Sequence, residues 1–131
     1  MIAKGTFEVK MQGEPPFELV DGVSLGRATF EKQFTGPLTG TSKVTMLAAR
    51  TPVDNSAGYV AVERITGTLD GRQGTFVVLQ TGLTDRGTRS LSIVIVPDSG
   101  TGELKELAGK MDVEIVEGQH HYTLDYTITP R

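Results

Sequence analysis

Apolar and polar residues alternate along most of this chain, and the period is two. Phe7, Val9 and Met11 alternate with Thr6, Glu8 and Lys10, the pattern of a strand with one buried face. Similar runs recur, bounded by Gly, Pro, Asp and Asn. They predict eight strands at residues 5–12, 23–34, 38–49, 58–69, 73–83, 88–96, 110–116 and 119–129. Asp70-Gly71 between two of these runs predicts a two-residue hairpin, because both positions tolerate positive φ. Glu14-Pro15-Pro16 opens a loop that runs to Asp21-Gly22, and residues 51–56 form another. Within 103–108, Leu104 and Leu107 stand three apart, with Gly109 behind them. This reads as one helical turn with a C-terminal glycine. Strands joined in order by short turns make an up-and-down meander, and closure removes its exposed edges. The expected fold is therefore all-β: an eight-stranded antiparallel barrel, a single domain over residues 1–131, with one short helical turn. A barrel of eight strands is filled by side chains or holds one small ligand.

Phe76-Val77-Val78-Leu79 and Ile93-Val94-Ile95-Val96 break the alternation, being apolar on both faces. The outer face of these strands is expected to be covered, either by a second copy of the chain or by its own loops. A homo-oligomer, dimer or higher, is the favoured expectation.

Composition excludes more than it assigns. The chain has 131 residues, 16 glycines, no cysteine and no tryptophan, and a net charge of -3. Without cysteine there is no disulfide, thiol nucleophile or thiolate metal site. No dense Lys/Arg patch favours nucleic acid. No run approaches the roughly 20 apolar residues of a membrane helix, so no membrane partner is expected. No signal peptide is legible at Met1–Phe7, and the expected location is cytoplasmic.

Several longer segments carry a resemblance. They are Gly5-Thr6-Phe7-Glu8-Val9, Phe34-Thr35-Gly36-Pro37-Leu38-Thr39-Gly40, Tyr59-Val60-Ala61-Val62-Glu63-Arg64 and Gly67-Thr68-Leu69-Asp70-Gly71-Arg72-Gln73-Gly74-Thr75-Phe76. Val96-Pro97-Asp98-Ser99-Gly100-Thr101-Gly102-Glu103-Leu104, Leu107-Ala108-Gly109 and Tyr122-Thr123-Leu124-Asp125-Tyr126 follow in the same order. Together the chain resembles, nearly end to end, a bacterial family known only as domain of unknown function number three-two-two-four. The resemblance implies an eight-stranded barrel related to allene oxide cyclase. It implies no activity. Members of that family often carry His directly after the Gln of the fifth strand; here the pair is Gln80-Thr81, so a role resting on that histidine does not transfer.

Few residues suggest chemistry. Glu63 shares its phase with Tyr59, Ala61 and Ile65 on a strand built for burial. An inward carboxylate is costly unless paired or protonated. It is a candidate ligand contact or acid/base; equally, it could pair with Arg27 or Lys32 for structure alone, or point outward. Gln80, in phase with Phe76 and Val78, offers an amide to the lumen or satisfies the backbone. His120, Tyr122 and Tyr126 share one face of the last strand, and His121 and Asp125 the other. Adjacent histidines on opposite faces do not ligate one ion, so no metal and no cofactor are expected. The tyrosines read as core or lumen wall. Ser99-Gly100-Thr101-Gly102 lacks the lysine of a phosphate loop and reads as a turn with Ser99 or Thr101 as N-cap. Ser99 has no His and Asp legible beside it.

These features favour a barrel that binds a small, partly apolar molecule, with Glu63, Gln80, Tyr59, Tyr122 and Tyr126 as candidate contacts. Two alternatives stand beside it. One is a cyclase- or isomerase-like enzyme using Glu63 as acid or base; the other is a structural oligomer with a filled barrel. Whether the protein is an enzyme at all stays open at this level.

Overall fold

A computed structural model describes residues 1–129 of the chain; residues 130 and 131, included in the expected domain, lie outside the described residues. Nine strands form one antiparallel sheet: β1 (Ile2–Gly13), β2 (Glu18–Val20), β3 (Val23–Thr35), β4 (Leu38–Arg50), β5 (Ala57–Leu69), β6 (Arg72–Asp85), β7 (Thr88–Ile95), β8 (Leu107–Val116) and β9 (Gln119–Ile128). Each of β3 to β9 pairs with its sequence neighbour. β1 pairs with β9 through Ile2–Phe7 and with β3 through Thr6–Gly13, which closes eight strands into a barrel. The expected all-β barrel is the observed fold. β2 lies outside the ring, on the part of β3 beyond the reach of β1.

Local sequence dictates the tight turns. Asp70-Gly71, Arg86-Gly87, Glu117-Gly118 and Asp21-Gly22 each link two strands, and all eight residues have positive φ. This is the two-residue hairpin whose twist matches that of the strands it joins. The last of the four makes a β2–β3 hairpin where the sequence reading had a loop. Three residues are too few to display alternation, and Pro15-Pro16 just before them masks the strand.

The segment after β7 also departs from expectation. The helical turn is a 3-10 turn at Gly102–Leu104, and Leu107 already belongs to β8. Gly109 is therefore no helix cap. It sits inside the strand at φ +151, where an added Cβ would stand 2.1 Å from the Asp125 carbonyl of β9. Close strand approach, rather than helix termination, demands the glycine. Nor does Ser99 or Thr101 cap the turn by a side-chain bond. The Thr101 hydroxyl accepts from the Thr75 amide, and the Ser99 hydroxyl accepts from the Val77 amide. Both lash the connection to β6.

That connection plugs one end of the barrel. Leu104 is fully buried among Leu38, Ile65, Leu69, Phe76 and Leu107. A buried side chain of this size contributes about 1.5–3 kcal/mol, so this end carries much of the stability. The opposite end opens. Along the inner face of β1 exposure rises from 4% at Phe7 to 65% at Met11, and along β8 from 5% at Met111 to 55% at Ile115. Outside the barrel, Val60, Val62, Leu79 and Val94 are exposed; neither loop nor 3-10 turn covers them.

Candidate functional site

The open end contains a cavity of about 210 Å³. Its walls are largely apolar, with Phe30, Val44, Met46, Ala61, Val113 and Ile115 contributed by four different strands. All these positions follow from the period-2 pattern, which turns every second residue inward. Among them stand the polar groups: Lys32, Tyr59, Gln80, Arg89 and His120.

Glu63 is inside the barrel, as its phase predicts, and 3% exposed. Its Oε1 accepts a bond from Lys32 Nζ at 3.1 Å and its Oε2 one from the Ser42 hydroxyl at 2.6 Å. Both carboxylate oxygens are thus satisfied, as burial requires. Lys32 lies between Glu63 and the cavity, its ammonium also 4.8 Å above the centre of the Phe7 ring. The other face of Phe7's surroundings is His120, with ring centres 5.0 Å apart. Of the two partners weighed for Glu63, Lys32 is the one used; Arg27 pairs with Glu14 instead.

Tyr59 lies over the adjacent strand because its neighbour on β6 has no side chain. A Cβ on Gly82 would stand 2.3 Å from the Tyr59 ring. The ring fills that space, and the phenol oxygen accepts a bond from the Gln80 side-chain amide. Burial pushes the Tyr59 phenol above its ordinary value of 10, although the Gln80 bond and the nearby Arg89 charge oppose the shift. The phenol therefore keeps its proton at neutral pH and remains a donor.

The structure thus brings Tyr59, Gln80 and the Lys32–Glu63 pair together, and it places Tyr122 and Tyr126 elsewhere. Both lie in the packed end of the barrel, away from the cavity. The Tyr122 hydroxyl accepts from the Leu38 amide at 3.0 Å. Tyr126 donates to the Asp70 carboxylate in the β5–β6 turn. Burial raises both phenols, that of Tyr126 to about 12 with the Asp70 bond adding to it. His120 and His121 point to opposite faces as expected, His120 into the cavity and His121 outward.

Two contributors were not singled out by the sequence reading. Ser42 alternates in phase with Leu38 and Val44, and Arg89 with Leu91, Ile93 and Ile95. Extending the alternation to the polar members of each inner face would have found them. A further feature is invisible to any single-strand pattern. β7 and β8 pair only at Ile93↔Met111 and Val94↔Lys110, so Thr88–Ser92 and Asp112–Val116 diverge. The resulting seam holds a cleft of about 460 Å³ in which Arg89 and Val113 also border the cavity.

The fold and site together define a closed antiparallel barrel with one packed end and one partly polar, open lumen. Residues 3–126 match the family model described as "Protein of unknown function (DUF3224)", and the chain belongs to that family. A crystal structure of a protein of unknown function from the same family, from Shewanella oneidensis MR-1, is 41% identical. The alignment covers 99% of this chain and 98% of that one, with a TM-score of 0.94. No curated protein matches the chain.

Proposed function

We propose that the protein is a binding barrel that holds a small, partly apolar molecule in the open half of its lumen. The observation carrying this reading is an apolar pocket with a few converging polar groups, the usual make-up of a ligand site. At about 210 Å³ it lies below the roughly 300–1,000 Å³ of sites for larger ligands, so the molecule is compact. A filled barrel with no ligand would need side chains where this space is. The acid/base reading of Glu63 has less support, because Lys32 and Ser42 occupy both its oxygens. Glu63 acts instead by positioning Lys32.

The test is native mass spectrometry of the protein as purified, compared with Ala61→Leu, which fills part of the cavity. Excess mass on the natural chain should disappear in the variant. Excess mass of equal occupancy in both would place the ligand elsewhere and end the reading.

The proposal includes self-association through the outer face. Thr45, Val62, Leu79 and Val94 form one cross-strand row, and Leu47, Val60, Thr81 and Ser92 the next. Neither row contains a charge, so a second copy can cover both without burying one.

A further inference from the structure

We infer that the molecule held in the lumen is a small carboxylate, its charged end bound by Arg89 and Tyr59 and its apolar body lying against Met46 and Ala61. The inference rests on the lumen-binding reading above and names the chemistry of the occupant.

Charge is the first argument. Two basic side chains of the Lys/Arg type border the cavity, Lys32 and Arg89. Lys32 is neutralised by Glu63 at 3.1 Å. Arg89 has no carboxylate within 4.0 Å among the described residues. It shares the phase of inward Leu91 and Ile93 and also lines the seam cleft with Asp112 and Glu114, neither of which comes within ion-pair distance. The lumen therefore presents one uncompensated positive charge, which suits a monoanion. A dianion such as a phosphate ester would need the second cation, and Glu63 already holds it.

Hydrogen-bond accounting is the second. The Tyr59 oxygen accepts from Gln80, and no acceptor among the described residues takes its proton. Tyr59 and Arg89 line the same cavity, and the guanidinium charge opposes the upward shift of the phenol. The phenol O–H and the guanidinium fork border one cavity and both present donors to it. A carboxylate is acceptor-only and planar, and it matches the fork in two parallel bonds. An amide or alcohol would bring a donor that the guanidinium cannot accept.

Shape is the third. Apart from Lys32, Gln80 and His120 the rest of the wall is apolar, and the volume is modest, so the body of the molecule is largely hydrocarbon of limited size, aromatic or short aliphatic.

The test uses a matched pair of probes, 3-phenylpropanoate and 3-phenylpropanamide, which differ only in charge and one donor. Binding to the intact chain is followed by NMR through the Met46 and Ala61 methyl groups. The acid should bind about tenfold or more tighter than the amide, the worth of one charge-assisted pair. Arg89→Gln should bring the two within about twofold by weakening the acid alone, and Arg89→Lys should fall between. Arg89 is exposed, so these variants should fold. Tyr59→Phe should also weaken the acid more than the amide. If both probes shift the methyl groups with equal affinity, the lumen reading survives and the carboxylate inference is overturned. The inference also falls if Arg89→Gln keeps the preference for the acid. Neither probe reaching the methyl groups at millimolar concentration would remove the lumen reading and the inference with it.

Discussion

Glu63 to glutamine and Lys32 to methionine break the same ion pair from opposite sides, and the structure predicts that they are not equivalent. The side chains are 3% and 11% exposed, respectively. Breaking a buried pair by removing one partner costs about 3–5 kcal/mol, because the survivor is left charged and desolvated. In Glu63→Gln the survivor is Lys32. It borders the cavity, keeps the face of Phe7 at 4.8 Å and can turn toward water at the mouth, so the loss should sit near about 3 kcal/mol. In Lys32→Met the survivor is the Glu63 carboxylate, deeper and left with Ser42 alone, and the loss should approach about 5 kcal/mol. Replacing both, as in Lys32→Met with Glu63→Leu, removes the stranded charge and should recover most of the loss. For a chain of this length 1 kcal/mol moves the melting temperature by about 3–5 °C. The single variants should therefore melt roughly 10 and 20 °C low. Urea unfolding followed by far-ultraviolet circular dichroism at neutral pH measures all four proteins. If Lys32→Met proves milder than Glu63→Gln, or if both lose less than about 1 kcal/mol, the pair is not buried in the sense argued here.

Three further outcomes are expected. All three tyrosines have raised phenols, so ultraviolet titration of the folded protein should show no phenolate wave near pH 10. A proton held more tightly in the folded state stabilises it fully below pH 10, and that contribution should drain away as pH rises through about 12, where Tyr126 ionises; a full wave at pH 10 with the fold intact would contradict this. Sedimentation at micromolar concentration should give at least a dimer, and Val62→Lys with Leu79→Lys should give the 14.1 kDa monomer, whereas a monomeric natural chain would leave the outer rows without a partner. A disulfide between Ser92→Cys and Asp112→Cys, in a protein with no cysteine of its own, should slow probe entry if the seam is the doorway, and unchanged rates on oxidation would assign entry to the open end.

Much of the ring was legible because its cause is local. Alternation sets which residues face inward, and Xaa-Gly pairs set the turns. Glu63, Tyr59 and Gln80 fall on the inner face for the same reason as Ala61 and Val78. Depth along the barrel is not local. Nothing in Tyr122-Thr123-Leu124-Asp125-Tyr126 says that this stretch of β9 meets the plug at Leu104, while Tyr59 meets the open end. That distinction depends on which strands overhang and where the 97–106 connection folds back. The same limit explains Lys32: pairing it with Glu63 requires the register of β3, β4 and β5, in which Lys32 opposes Ser42 and Val44 opposes Glu63.

The β7–β8 seam shows what that non-local geometry does to the barrel wall. A barrel exists to leave no unpaired edge, yet here the backbone of Thr88–Ser92 has a partner only in β6, and that of Asp112–Val116 only in β9. The ring stays closed because the two pairs at Ile93 and Val94 lie on the side of the packed core, where Ile93, Ile95 and Met111 are buried. Hydrophobic contact at that end substitutes for the ladder lost at the other. Arg89 sits where the ladder has parted, and opening the ladder is what lets one inward side chain border both the lumen and the surface. A continuous β7–β8 pairing would have put Arg89 wholly inside, with its charge desolvated and unpaired. The incomplete closure and the inward phase of Arg89 are thus two aspects of one arrangement, the first making the second tolerable.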